Sequence, residues 1–176
     1  MEESVEWYAV RVTYCREFKL KEILDSLKID NYIPVQYREV TRNGKKKKIL
    51  QPVIRNLVFI RTSRETLDAI KKDVEGVLPI RYMYNNAAKA PVTINDSEMR
   101  QFIAVSGMLN EQLIYVTLDG CKLKRGDRVR VTGGIFEGVE GDVVRIKNDR
   151  RVLVTINGVM AVATSFIHPS LLQKIN

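Results

Sequence analysis

Apolar and polar positions alternate along the first forty residues with the periods of short strands and one amphipathic helix. Residues 7–12 read as a strand, and residues 32–40 as a second strand with Pro34 near its start, where a missing donor is tolerated. Between them, one set of apolar residues recurs at i, i+3, i+4 and i+7 and predicts the buried face of a helix: Leu20, Ile23, Leu24 and Leu27.

The next sixty residues continue with the same kinds of element. Asn43-Gly44 is a strong hairpin-turn signal, and residues 53–61 form a near-continuous apolar run that predicts a central strand. Ser63 suits the N-cap of a second helix, and residues 77–84 predict a fourth strand. The inner faces of the second helix and of a later one, which opens with an Asn95/Glu98 capping box, are Leu67, Ile70 and Val74, and Met99, Phe102 and Ile103.

Strand, helix, strand, strand, helix, strand is the order of ferredoxin-like α/β sandwiches. Two helices that cover one face of such a sheet leave its other face for loops, the last helix or a partner. The fold class predicted for the first half is therefore α+β.

In the second half of the chain, apolar and polar positions recur only with the two-residue period of β-strands. Val129 and Val131 alternate with arginines, Gly133-Gly134 forms a turn, and apolar residues resume between Val139 and Ile146. Later turns are predicted at Asn148-Asp149 and Asn157-Gly158, around alternating positions at 152–156 and a strand at 159–163. Five short strands in about sixty residues favour a small closed barrel.

The predicted boundaries are an N-terminal domain at residues 1–106, a connection at 107–120 and the barrel at 121–176. Periodicity is weak in the connection, although residues 113–116 leave room for a short strand.

The net charge and the cysteines limit which partners and which cellular compartment are expected. The 176 residues carry a formal net charge of +8, which favours a polyanionic partner or an acidic protein surface, although solubility alone also explains it. Cys15 and Cys121 form neither a metal-type pair nor a disulfide framework, which predicts free thiols in a reducing cytosol. The chain has no signal-peptide pattern and no apolar run that spans a bilayer, so a soluble, cytoplasmic protein is expected. The expected oligomeric state is a monomer.

No residue pattern in the sequence predicts a catalytic site. The single histidine, His168, has no nucleophile or acid partner in the pattern and suits a surface or packing role. The acidic residues Asp127, Glu137, Glu140 and Asp142 cluster in sequence near arginines that suit salt bridges, such as Arg128 and Arg130, and no phosphate-binding or dinucleotide fingerprint occurs. We expect no enzyme activity, no cofactor and no metal.

The most basic segment surrounds the Asn43-Gly44 turn, where Arg38, Arg42 and Lys45, Lys46, Lys47 and Lys48 oppose only Glu39. Such a hairpin suits phosphate contact with nucleic acid, and lysines equally serve to prevent edge-to-edge pairing of strands. Arg11, Arg16 and Lys19 form a second, smaller basic candidate.

Residues 126–141 resemble the KOW motif of small barrels in elongation and ribosomal proteins. The two halves together resemble the NusG family of transcription elongation factors, in the right order: Trp7-Tyr8-Ala9-Val10 at the start, residues 54–60 as the family's central strand, residues 90–99 as the entry to the last helix, and then the KOW motif. Arg55-Asn56 replaces a Pro-Gly pair of housekeeping members, and Asn56 is similar to the RfaH-like branch. The chain therefore resembles a specialised paralogue, near the UpxY antiterminators of bacterial capsule operons.

The resemblance implies an NGN-type domain that binds RNA polymerase and a KOW domain that recruits a second partner. An apolar sheet patch would meet the β′ clamp helices, with Trp7, Tyr8, Tyr32, Ile54, Asn56 and Leu57 as candidates by position. Several of them are equally suited to the core. A loop at residues 66–71, with Thr66, would face the β gate loop, although the RfaH-type His-Thr-Thr signature is absent.

Bridging β and β′ would suppress pausing and termination by favouring the closed clamp, with no bond chemistry. The basic hairpin would follow upstream or non-template DNA. Ile135 and Phe136 suit an exposed contact for a ribosomal small-subunit protein or Rho, unless that loop folds onto the end of the barrel. The alternatives are a ribosomal or rRNA-binding KOW protein, against which the first half argues, and a metal-dependent nuclease, for which no site is evident.

Overall fold

The computed structural model describes residues 4–117, 124–156 and 158–175. Its helices are α1 (Glu17–Ser26), α2 (Arg64–Val74) and α3 (Asp96–Ser106). The strands up to α3 are β1 (Glu6–Val12), β2 (Asp30–Tyr32), β3 (Val35–Arg42), β4 (Lys45–Pro52), β5 (Leu57–Thr62), β6 (Ile80–Tyr82), β7 (Tyr84–Asn85), β8 (Ala90–Pro91) and β9 (Thr93–Ile94). The later strands are β10 (Ile114–Thr117), β11 (Arg128–Val131), β12 (Glu140–Ile146), β13 (Asp149–Ile156), β14 (Met160–Ala163) and β15 (Leu172–Lys174).

The chain forms two compact units. Unit 1 comprises Met1–Pro34 and Pro52–Asp96, and unit 2 comprises Val35–Gln51 and Ser97–Asn176. The units divide the chain differently from the predicted domains, because residues 35–51 and most of α3 group with the second half. The boundaries 1–106, 107–120 and 121–176 stay a prediction.

Unit 1 contains an antiparallel sheet in the order β2-β5-β1-β6, with β9 also paired to β1. Along the chain, its strands and helices follow as β1, α1, β2, β5, α2 and β6, so the predicted ferredoxin-like order is confirmed. The hairpin of β3 and β4 is inserted between the second and third strands of this order.

Both faces of the unit 1 sheet are buried at its central positions. Tyr82 lies on the face that α2 covers, because its hydroxyl bonds Asp68 of that helix, and strand register places Val10 and Val58 on the same face. Ala9 and Phe59 point the opposite way and are also fully buried. Of the alternatives predicted for the second sheet face, cover by the chain itself therefore holds at these central positions, and a face left open for a partner does not.

Local backbone chemistry shortens two predicted strands. The run at residues 32–40 is split at Ile33-Pro34, because proline has no N–H to donate, and β2 and β3 then pair with different partners. The run at residues 53–61 becomes a strand only from Leu57, because Asn56 adopts a left-handed φ of 65° that ends the preceding turn. The fourth predicted strand is likewise reduced to β6, with β7 pairing β8 separately.

Unit 2 is built on an antiparallel sheet in the order β10-β14-β13-β12-β11-β15. Its core includes a buried cluster of side chains from β12, β13 and β14, against which Ile114 of β10 packs: Val144, Leu153, Ala161 and Ala163. The strand suggested at 113–116 is therefore present as β10, one residue later, inside the predicted connection.

Two turns in unit 2 test the sequence patterns further. The β12–β13 turn is centred on Lys147 and Asn148, with φ of 51° and 68°, one residue earlier than predicted, because Ile146 pairs with Asp149. β13 and β14 do form the predicted hairpin, but Asn157 of its turn lies outside the described residues, as does Cys121. β15 had no separate prediction, and closure of the sheet into a barrel stays a prediction.

Candidate functional site

The basic hairpin, which we define as β3, β4 and their turn, pairs with neither of the larger sheets. Its turn is the Asn43-Gly44 pair, with φ of 50° and 73°, the two positive values that a type I′ turn requires. Every lysine from Lys45 to Lys48 is exposed, as is Arg42. The predicted basic hairpin is therefore present as a solvent-exposed projection.

The two faces of the basic hairpin differ in charge. A two-residue turn places Arg42 opposite Lys45, so strand alternation puts Arg38, Arg42, Lys45 and Lys47 on one face. We call this the unpaired face, since none of these four cations forms an ion pair with a described residue. The apolar and amide positions between the cations are Gln36, Val40, Ile49 and Gln51.

The opposite face, which we call the paired face, carries Tyr37, Glu39, Lys46 and Lys48. Lys46 Nζ lies 2.9 Å from Glu39 Oε1, and Lys48 Nζ is bonded to Glu111 Oε1. That hydrogen bond, followed by the carboxylate charge, raises the pKa of Lys48. A cleft of about 420 Å³ lies between this face and residues 109–115 of the same unit.

The second basic candidate lies where β1 turns into α1. Arg11 donates from Nη1 to the Arg55 carbonyl at 3.2 Å, and Arg16 donates from Nη1 to the Val77 carbonyl at 2.6 Å. Arg16 also lies over the ring of Tyr14, 5.2 Å from its centroid, and Tyr14 is 79% exposed. Both arginines therefore brace local backbone, whereas Lys19 is simply exposed.

Asn56 holds this same turn together. Its side-chain Oδ1 accepts from the Cys15 N–H at 2.8 Å, its carbonyl accepts from the Val12 N–H at 3.0 Å, and its own N–H donates to Glu17 Oε1. Glu17 is only 2% exposed, and its burial is explained by this bond. The structure thus gives Asn56 a positioning role that its sequence context did not indicate.

The other predicted polymerase contacts are mostly covered. Trp7, Tyr8 and Leu57 are 8%, 4% and 0% exposed, so their placement on an open sheet face is wrong. Trp7 and Tyr8 point to opposite faces, as alternation requires, and both faces are buried. Tyr32 and Ile54 are half-buried, and Ile54 lies in the turn before β5 instead of within the strand.

Thr66 lies in the first turn of α2, so the prediction of a loop at residues 66–71 is wrong. The reason is the cap: Ser63 Oγ accepts from the Thr66 N–H at 3.2 Å, as the sequence predicted, and the buried side chains of Leu67 and Ile70 hold the helix in place. Thr66 is nevertheless exposed.

Further along α2, a polar cluster surrounds Tyr82. The Tyr82 hydroxyl donates to Asp68 Oδ1 at 2.8 Å, and Arg64 Cζ and Lys71 Nζ lie 4.7 and 4.4 Å from its ring centroid. Burial, and then the bond to Asp68, raises the pKa of Tyr82. Burial acts to raise the pKa of Asp68 as well, but the bonds from Tyr82 and Arg64 outweigh it and lower that pKa.

The turn after β11 separates the two residues proposed as a joint contact. Ile135 is 59% exposed, whereas Phe136 is only 3% exposed, so the exposed pair is wrong and the alternative of a folded loop holds for Phe136. The physical reason is a tight turn: Gly138 N–H donates to the Val131 carbonyl at 2.8 Å, and Val139 N–H to the Phe136 carbonyl at 3.1 Å. These bonds turn Phe136 inward.

The acidic residues of the second half and His168 have structural partners. Glu140 Oε1 accepts from Arg130 at 2.6 and 2.8 Å, as predicted, and Asp142 Oδ2 lies 3.3 Å from Nη1 of Arg125, which was not among the predicted partners. His168 Nδ1 accepts from the Ser170 N–H at 3.2 Å and caps a short 3-10 helix. Within residues 4–117, 124–156 and 158–175, no group of three His, Cys, Asp or Glu side chains is placed to hold a metal. No helix in those ranges is long and apolar enough to span a membrane.

The chain thus combines a ferredoxin-like unit, an exposed basic hairpin that is inserted into its sequence, and an antiparallel β unit. Residues 5–103 match the family model described as "Transcription termination factor nusG". The transcription termination/antitermination protein NusG of Borreliella burgdorferi is 25% identical over 166 aligned residues, which cover 85% of this chain and 87% of that protein. A solved structure described as "Domain interaction in Thermotoga maritima NusG" is 21% identical, covers 98% of each chain and has a TM-score of 0.49.

The chain belongs to the NusG family of transcription termination and antitermination factors. Members of this family are transcription factors, and membership implies an interaction with RNA polymerase in general.

Proposed function

We propose that this chain is a cytoplasmic elongation and antitermination factor that binds RNA polymerase at the clamp and suppresses pausing and termination. The observation that carries the proposal is the family match over residues 5–103, which spans the whole sheet of unit 1 and the basic hairpin. No bond chemistry is required, because a ligand that prefers the closed clamp shifts that equilibrium by its differential affinity alone.

For the β′ clamp helices we propose a contact centred on Tyr32 and Ile54, because both remain half-exposed. Trp7 and Leu57, which share a sheet face with Tyr32, then act as the packed support beneath that contact, and Tyr8 packs on the opposite face. Asn56 fixes the turn that carries Ile54. The exposed Thr66 on the first turn of α2 is the proposed neighbour of the β gate loop. Hot spots of this kind combine a few aromatic or aliphatic anchors with a rigid surround.

For nucleic acid we propose that the basic hairpin follows the upstream or non-template DNA by phosphate contact. Its lysines are exposed and its turn is well formed, which presents the charges on a defined frame. Lys19 with Arg11 and Arg16 would form a subsidiary contact, in which exposed Tyr14 offers a ring for base stacking.

For the second partner, a ribosomal small-subunit protein or Rho, we propose the KOW turn with Ile135 as the exposed contact. Phe136 would support that turn from below. Specialisation as a paralogue near the UpxY antiterminators is also a proposal, supported by Arg55-Asn56 and by the positioning bonds of Asn56.

The test is Ile54→Glu in the full chain, with affinity for RNA polymerase core enzyme measured by titration. A hot-spot residue should cost roughly tenfold or more in Kd. Val77→Glu is the matched control, because Val77 is an apolar residue of the same unit that is 61% exposed and lies outside the proposed contact. Its Kd should stay within about twofold of the unmodified chain.

Thermal unfolding of both variants checks that the fold is retained. If Ile54→Glu folds normally and binds as tightly as Val77→Glu, the proposed clamp contact is wrong. If the unmodified chain binds intact ribosomal subunits and not polymerase, the alternative of a ribosomal KOW protein gains the support that the elongation factor loses.

A further inference from the structure

The two faces of the basic hairpin differ in whether their cations already have carboxylate partners, and therefore in how readily they bind an anion. On the paired face, Lys46 and Lys48 already have carboxylates, and the face borders the cleft at residues 109–115. On the unpaired face, four cations stand with no acidic residue among them: Arg38, Arg42, Lys45 and Lys47. A phosphate that approaches the paired face must displace Glu39 or Glu111, whereas one that approaches the other face displaces only water.

We propose that the unpaired face is the nucleic-acid-binding surface, and that Lys46 joins the two strands and Lys48 holds the hairpin in place instead of contacting phosphate. This inference rests on the proposed function of the hairpin and assigns its two faces different roles.

The arrangement of charges on the unpaired face supports a ligand. Arg42 and Lys45 are directly opposite, where side chains are about 5 Å apart and like charges destabilise a strand pair. This repulsion has no compensating partner among the described residues. A bound anion removes the repulsion, because one phosphate between the two cations attracts both.

Spacing along the strand also fits a phosphate backbone. Lys45 and Lys47 are two residues apart on β4, which separates them by about 6.8 Å. The phosphates of one strand of a duplex rise about 3.4 Å each along the helix axis and also wind around it, so neighbouring phosphates lie further apart than this rise and the two lysines can each reach one of two neighbouring phosphates. Recognition of this kind is independent of sequence.

The paired face explains how an isolated two-stranded ribbon keeps its orientation. A hairpin that joins no larger sheet is only marginally stable without further packing. The Lys48–Glu111 bond joins β4 to a residue 63 positions later in the same unit, and Tyr37 and Leu113 line the cleft beside it. Exposed pairs contribute little free energy individually, so this contact acts mainly on orientation.

The experiment compares two double variants of the full chain with equal loss of charge, Lys45→Ser/Lys47→Ser and Lys46→Ser/Lys48→Ser. Binding to a 20-nucleotide single-stranded DNA and to a 20-base-pair duplex is measured across a series of salt concentrations. Each phosphate contact contributes about 0.9 to the slope of log K against log salt on a duplex, and about 0.7 on a single strand.

We expect Lys45→Ser/Lys47→Ser to reduce the duplex slope by about 1.8, and the other variant to leave it unchanged. Lys45→Arg/Lys47→Arg should retain the slope of the unmodified chain, which excludes a general effect of substitution at these positions. Circular dichroism confirms that each variant is folded.

The outcomes separate the two proposals. Equal loss of slope in the two serine variants leaves nucleic-acid contact standing and overturns the division between faces, as does a loss confined to Lys46→Ser/Lys48→Ser. If the unmodified chain binds neither DNA with a measurable salt slope, the proposed nucleic-acid function of the hairpin fails, and the face assignment fails with it.

Discussion

Replacing Gly141 by alanine should destabilise unit 2 strongly, because β12 and β13 approach too closely there for a side chain. An ideal Cβ at this position clashes with the Leu153 carbonyl oxygen and lies 2.8 Å from Val152 Cγ1. The nearest atom belongs to the backbone of the neighbouring strand, so rotation of a side chain cannot relieve the clash. The two strands must instead separate by about 1 Å, which disturbs the packing of the core cluster to which Val144 and Leu153 belong.

Overpacking of a well-packed site costs typically about 1–3 kcal/mol, and a clash with backbone belongs at the upper end. We therefore expect a loss of about 2–3 kcal/mol in the free energy of unfolding. For a unit of this size that loss lowers Tm by roughly 10–20 °C.

Gly134 and Gly76 supply matched controls, since an added Cβ meets no atom within 4 Å at either position. Gly134 has a φ of +82°, so alanine there costs about 1 kcal/mol through backbone strain alone, while Gly76→Ala should cost nothing. Hydrogen exchange in urea follows unit 2 directly, and the fluorescence of the single tryptophan, Trp7, follows unit 1. A Gly141→Ala variant no less stable than Gly134→Ala would refute the steric argument.

Two further predictions concern side chains described above. Phe136→Ala should lower the free energy of unfolding by about 3 kcal/mol, because Phe136 is 3% exposed, whereas Ile135→Ala should change it by less than about 0.5 kcal/mol; equal effects in chemical denaturation would contradict the inward turn. Tyr82 has a raised pKa in the folded state, so above about pH 10 the unfolded chain loses a phenolic proton that the folded chain keeps, and stability falls as pH rises. Tyr82→Phe should therefore make the decline in stability between about pH 9 and 11 shallower in urea unfolding, and an unchanged decline would show that Tyr82 titrates alike in both states.

Periodicity predicted the elements of unit 1 well because their apolar positions are local and regular. The helix cap at Ser63 and the turn at Asn43-Gly44 were also predictable, since each depends on one or two residues with strong backbone preferences. The predicted strands at residues 32–40 and 53–61 were too long because single residues, Pro34 and Asn56, have backbone preferences that oppose a strand. A missing donor and a left-handed φ interrupt apolar runs that hydrophobicity alone would continue.

The candidate site was predictable in composition and not in geometry. The basic segment is evident in the sequence, but the difference between its faces depends on Glu111, which is 63 positions from Lys48. Ile135 and Phe136 have similar hydrophobicity, and only the hydrogen bonds of the turn decide which one is buried. The burial of Glu17 could not be predicted from the sequence, because its hydrogen-bond partner is the backbone N–H of Asn56 in a distant turn.

Because β3 and β4 share their ladder only with each other, the ladders of both larger sheets are independent of residues 35–52. Insertions at the tip are likewise tolerated, since exposed turns accept added length at little cost. Changes in the length or charge of the basic hairpin therefore cost little stability. Through such changes, related chains could diverge in the nucleic acid that they contact while their cores stay constant.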